Sequence, residues 1–444
     1  MRLARLAMAV ALVVGLAGAA FADTHTWTGA DATDNNWSTP GNWDIGLPVA
    51  GDDVVLNLND NALGAIMVVD ADTPALNNFN VTRPNSGTQQ NVNGPGKLIV
   101  NGTFTASSND IPEWGRYPRI NAQLSGACKV VLAKSGLALN NTANDYSGGT
   151  DVVDPGWRQF MYNGGSMGTG DVQITGTDGP GNDRNFIVNN NTYANLPKVT
   201  ILGANATFNN HRNLNGGGPI ILDGGAFGGA SDPGQSWTCA VDIQVLSDSR
   251  LYGAGRTSWY DVYYTGDITG TAILTYDPSS DGRSNQQAWM RRANLSFDGD
   301  WIIAEGIITA DAVKCLGSGD IIVEGQSTRA RLELDVAGAT SSDNVLYLIN
   351  ANVAELDLDA HNTVLACNVG GTLAGGVVTG GTWLPAGPYD STTPDPVGVT
   401  LSDYFDFGNS TLTILQDSPV LPIPEPAGLS LMGLALLALR RRRG

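Results

Sequence analysis

The chain of 444 residues contains only three histidines, His25, His211 and His361, and no two of them are neighbours. Nucleophilic triads and His-rich metal sites therefore lack raw material. Cysteine is almost as scarce. Cys128, Cys239, Cys315 and Cys367 stand far apart with no Cys-x-x-Cys pair, which argues against a thiolate metal site. Two readings stay open for them, up to two disulfides or small buried side chains. Charged residues make up 15% of the chain, against ~25% in average soluble proteins, so Asn, Thr, Ser and Gly must dress the surface. Basic residues are the scarcer sign. The net charge is −19 and is more negative still without the arginines at the two ends, which argues against nucleic acid as a partner. Glycine strings such as Gly216-Gly217-Gly218 lack the Lys-Ser/Thr of a phosphate loop and read as corners. Helical periodicity, finally, is nearly absent from residue 23 to residue 420.

What is present at the two ends is a pair of short apolar segments. Residues 1–22 run from Arg2 and Arg5 through apolar Leu6–Ala17 to Ala20-Phe21-Ala22, the three regions of a secretory signal peptide. A signal peptidase reading Ala20 and Ala22 would leave Asp23 as the new N-terminus. In residues 421–444, Pro424-Glu425-Pro426 precede apolar Ala427–Leu439, and Arg440, Arg441, Arg442 and Arg443 follow. Those thirteen apolar residues fall short of the ~20 that span a bilayer core, while the arginines hold that end in the cytoplasm. The order resembles the PEP-CTERM sorting signal. The resemblance implies transient tethering in the inner membrane and cleavage near Pro424-Glu425-Pro426 by an exosortase, a membrane-embedded cysteine protease.

Between the ends, short alternating runs bounded by Gly, Asn and Asp predict strands of four to seven residues, as in Lys198-Val199-Thr200-Ile201-Leu202 and Asp320-Ile321-Ile322-Val323. One module occurs twice. Met167-Gly168-Thr169-Gly170-Asp171-Val172 matches Leu316-Gly317-Ser318-Gly319-Asp320-Ile321, within units at about residues 120–180 and 265–335. Asn144-Asp145-Tyr146-Ser147-Gly148-Gly149-Thr150 precedes the first copy and a looser Phe297-Asp298-Gly299-Asp300-Trp301 the second. These strings resemble the autotransporter-associated β-strand repeat. That resemblance implies an all-β body over residues 23–420, a right-handed parallel β-helix (β-solenoid) with turns of about twenty to twenty-five residues. Physics points the same way: a short strand that buries one face gains a core only by stacking on the next turn at ~4.8 Å. A β-sandwich array uses similar strands, but the repeated Gly-x-Gly-Asp favours the solenoid.

Alternation also places side chains. In Leu332-Glu333-Leu334-Asp335 and Leu356-Asp357-Leu358-Asp359 the leucines point inward and the acids outward. The segments lie 24 residues apart, one turn, so Glu333 should stack on Asp357 and Asp335 on Asp359. Like charges in a ladder repel unless screened, which makes Ca2+ the sharp expectation and a solvated acidic face the plain one. Among the ten tryptophans, some could stack on sugars and most should pack inside. The residues identify no catalytic group. The expectation is an exported structural or adhesive protein of the cell surface or extracellular matrix, which meets extracellular polysaccharide. The alternative is a polysaccharide-degrading β-helix lyase or glycosidase.

Overall fold

The computed structural model describes residues 22–419, apart from 32, 58–65, 84–90, 109–117, 134–136, 155–159, 162–165, 176–185, 189–195, 205, 211–212, 231–235, 255–260, 279–285, 294–295 and 327–328. Residues 1–21 and 420–444 lie outside this range, and so do the sorting segment and all but the last residue of the signal peptide. Among the described residues there is no α-helix, only two one-turn 3-10 helices, Pro40–Asn42 and Leu401–Asp403.

The chain winds into a β-solenoid. Strands from Thr24–Trp27 to Ile268–Gly270 form an 11-stranded first sheet, those from Ile66–Val68 to Val377–Trp383 a 15-stranded second, and those from Trp237–Cys239 to Phe405–Asp406 a 7-stranded third. Successive turns pair in parallel, as in Val172–Thr175 beside Val199–Leu202. A turn takes 20 residues between Val130 and Thr150 and 29 between Trp27 and Leu56, so some turns exceed the length expected of the repeat. Period-two alternation explains the packing. Val54, Phe79, Phe104 and Val130 occupy one inward column and are fully buried, with the Phe79 and Phe104 rings stacked at 5.4 Å. Each such side chain adds about 1.5–3 kcal/mol of burial that a lone strand could not obtain.

Corners interrupt the ladder and leave backbone N–H groups to satisfy. Here Asp or Asn on one turn accepts from the next: Asp72 from Lys97 N at 2.8 Å, Asp242 from Asp267 N at 2.9 Å, Asp300 from Asp320 N at 2.8 Å. Asn93, Asn121 and Asn140 form a side-chain ladder with 2.6 Å amide bonds. The duplicated module is such a corner. Tyr146 and Phe297 turn fully inward, and the next turn crosses them with Gly168 (φ 71°) and Gly317 (φ 77°), where a Cβ would lie 2.3 Å from Tyr146 O and 2.0 Å from Phe297 O. Only glycine meets both demands, positive φ and close approach.

Both ends are closed by the chain itself. Trp27, Trp37 and Trp43 pack edge to face at 5.1 and 4.6 Å, and Asn42–Asp44 cover the free edge of the first strand through Thr28 N to Asn42 O and Asp44 N to Thr26 O. At the other end Leu401, Tyr404, Phe405, Leu412 and Ile414 plug the core. A hairpin of strands Ala366–Ala374 and Val377–Trp383 folds back over the second sheet. It covers Ile302, Ile322 and Ile349 with Leu373 and Val378, and Gly376 at its tip packs on Ile273. The four cysteines are buried as thiols, none of them in a disulfide. Burial pushes Cys128, Cys239 and Cys315 up to about 12, far from reactive thiolates.

Candidate functional site

The sequence singled out two acidic segments, and the third sheet brings them together. Strands Ala330–Leu334 and Ala354–Leu358 pair with Leu332 beside Leu356 and Glu333 beside Asp357, and both leucines are fully buried. The outward neighbours extend this into two columns. One runs Gln287, Ile307, Arg331, Glu355, and the other Trp289, Thr309, Glu333, Asp357, Asp406. Asp335 and Asp359 lie just past the paired strands.

A guanidinium occupies the centre. Arg331 donates to Asp357 Oδ2 at 2.7 Å, Glu333 Oε1 at 3.2 Å and Glu355 Oε1 at 2.9 Å, with its side chain 17% exposed. The other oxygen of Glu333 accepts from Gln287 Nε2 at 2.9 Å and Thr309 Oγ1 at 2.8 Å. One cation thus ties three carboxylates across two turns. Alternation had placed the acids but not this counter-charge.

Acid still exceeds base, and the proton affinities reflect it. Burial pushes Asp357 up to about 6. Arg331 opposes the rise, and the charges of Asp406, Glu333 and Asp359 add to it. Burial likewise takes Asp335 to about 6, helped by Glu333 and Asp359. Glu355 is raised by burial against the pull of Arg331. Among the described residues no three carboxylate, imidazole or thiol groups converge in an arrangement that could hold a metal ion.

Below Asp406 the column ends in a cavity of about 340 Å³ in the C-terminal plug. Asp390, Asp395 and Asp406, the hydroxyls of Thr393 and Ser402, and the rings of Phe405 and Phe407 line it. Those rings stack at 5.1 Å. Its size is at the lower end for small-molecule sites. In the other direction the column continues from Trp289 to Tyr263 and Thr238; Trp289 is half-buried beside Tyr263, and the Arg291 guanidinium lies 4.0 Å from the Tyr263 ring centre. The aromatic faces there already have a cation stacked on them. Trp237 is buried, and Trp114, Trp157 and Trp259 lie outside the described residues.

Of the two processing sites, Ala22 and Asp23 are exposed and immediately precede the first strand, and Asp23 N donates to Asp52 Oδ1 at 3.3 Å. Ala20, Pro424, Glu425, Pro426 and Arg440–Arg443 lie outside the described residues. His25 contacts Asp52 at 2.9 Å inside the N-terminal cap, and His361 Nδ1 accepts from Thr411 N. Both serve the fold. Comparison with protein-family models, with curated proteins and with solved structures yields no match for this chain.

Proposed function

We propose that the chain is an exported structural protein of the cell surface or extracellular matrix, adhesive through the faces of its solenoid and released by an exosortase-type protease. The observation that carries this reading is the closed rod itself: short parallel turns, plugged at both ends, with polar columns that bond chiefly to one another. Such a body presents long, regular faces and spends its polar groups on rigidity. The start of the first strand at Thr24, one residue after the expected cleavage point, agrees with removal of residues 1–22.

Intact-mass analysis of the protein recovered from its host tests the processing. The expected product starts at Asp23 and ends near Pro424-Glu425-Pro426. Glu425→Ala should leave an uncut, membrane-bound chain, because Glu425 lies outside the apolar segment yet inside the motif. Wild-type protein recovered uncut from a host that has an exosortase would overturn the sorting reading.

One observation favours a second reading, a polysaccharide-acting enzyme: Asp357, held near pKa 6 beside Glu333, resembles a general acid at neutral pH. Turnover of acidic or neutral polysaccharides that disappears in both Asp357→Ala and Glu333→Ala would establish the enzyme. Binding without turnover would establish the adhesin.

A further inference from the structure

The first sheet stacks eleven successive turns without a break. Its outward column runs through all eleven strands, from Thr26 through Thr105, Val131, Thr200 and Ile221 to Thr269. It contains one charged residue, Asp151, and that carboxylate is paired with Lys129 at 2.8 Å. On a chain of net charge −19 this is a neutral strip. Two β-bulges sharpen it. Register shifts after Leu132 and after Leu222 push out Val153 and Leu246, which are 48% and 54% exposed, and Leu202 between them is 39% exposed.

We infer that the first sheet is the contact face between two copies of this chain, stacked face to face about a two-fold axis. Charge favours contact along this column, since two acidic rods repel wherever carboxylates dominate and approach at lower cost where the one carboxylate is paired, and Asp53 and Asp223 stand at strand ends outside the column. Area permits the contact: eleven strands at ~4.8 Å, each about four residues wide at ~3.3 Å, offer roughly 630 Å² per copy, about 1,250 Å² for the pair, which reaches the range of specific interfaces. Symmetry places the axis. Asp151 is the middle member of the column, so an antiparallel pair brings the Lys129–Asp151 couples of the two copies together, where each lysine can bridge to the other copy's carboxylate. The apolar side chains on either side of that centre then meet their counterparts. The inference needs neither export nor sorting, so it can fail or stand separately from the proposed function.

The test is sedimentation of the protein recovered from its host in its processed state, at rising concentration and moderate salt. The wild type should be a dimer. Ile221→Arg should weaken dimerisation at least tenfold while keeping the circular dichroism of the folded wild type, whereas Val313→Arg, exposed elsewhere on the molecule, should leave the dimer intact. Lys129→Glu and Asp151→Lys should each weaken it, and the double reversal should restore it. Lys129 is 48% exposed and Asp151 30%, so all three variants should fold. A wild type that stays monomeric at about 100 µM overturns the inference. So does a dimer indifferent to Ile221→Arg, or a folded double reversal that stays monomeric after both single changes have broken the dimer.

Discussion

Replacing Arg331 with methionine removes the counter-charge of the third sheet while keeping most of the side chain's apolar length. Glu333, Glu355 and Asp357 would then share two turns with no cation between them. Removing one partner of a fully buried ion pair costs ~3–5 kcal/mol. These side chains are 17–23% exposed, and water takes up part of the charge, so about 2–3 kcal/mol is the expected loss at pH 7.5. The sign of the pH dependence follows from Asp357. Its folded pKa of about 6 lies above the ordinary 3.8, so the folded state binds the proton more tightly, and stability rises as pH falls from above 6 towards 4. Without Arg331 that pKa rises further and the gain on acidification grows. The deficit of the variant should therefore shrink at pH 5. Urea unfolding at both pH values measures it, and amide exchange in Ala330–Leu334 and Ala354–Leu358 gives a local readout, because a solenoid need not open in one step. An unchanged stability at pH 7.5, or a deficit that widens at pH 5, refutes the reasoning.

Leu332→Asp and Leu356→Asp each put a carboxylate into a fully buried column and should cost several kcal/mol; near-normal melting for both would mean the register is off by one residue. The wild type should melt higher at pH 5 than at pH 7.5, because Asp320, Asp335 and Asp357 all have folded values of about 6 and lose their contribution as pH rises through that value; a melting temperature that climbs over this interval contradicts it. Gly168→Ala and Gly317→Ala should each destabilise by about 2–4 kcal/mol through positive φ and overpacking, readable by calorimetry, and tolerance of either would mean the corner can shift.

Much of the third sheet was legible because a period of two residues and a spacing of 24 leave little freedom: once Leu332 and Leu356 point inward, Glu333 must sit beside Asp357. Arg331 obeys the same rule, two residues before Glu333 and on the same outward face. A ladder of like charges on adjacent turns calls for an opposite charge within reach, and the i−2 position on the same outward face supplies it. Folding back of the hairpin Ala366–Trp383 was less visible, since it is a contact between distant turns. Its trace lies in Trp301-Ile302-Ile303 and Ile321-Ile322-Val323, which are apolar without alternation and buried on both faces. A strand with no polar face in a single-layered solenoid must be covered from outside. The spaced pairs Gly370-Gly371, Gly375-Gly376 and Gly380-Gly381, five of them at positive φ, belong to the segment that covers it. Turn length was the least legible feature, because an insertion at a corner changes the spacing without changing any strand. Register is therefore set strand by strand, and the glycines that touch the preceding turn mark where one turn closes on another.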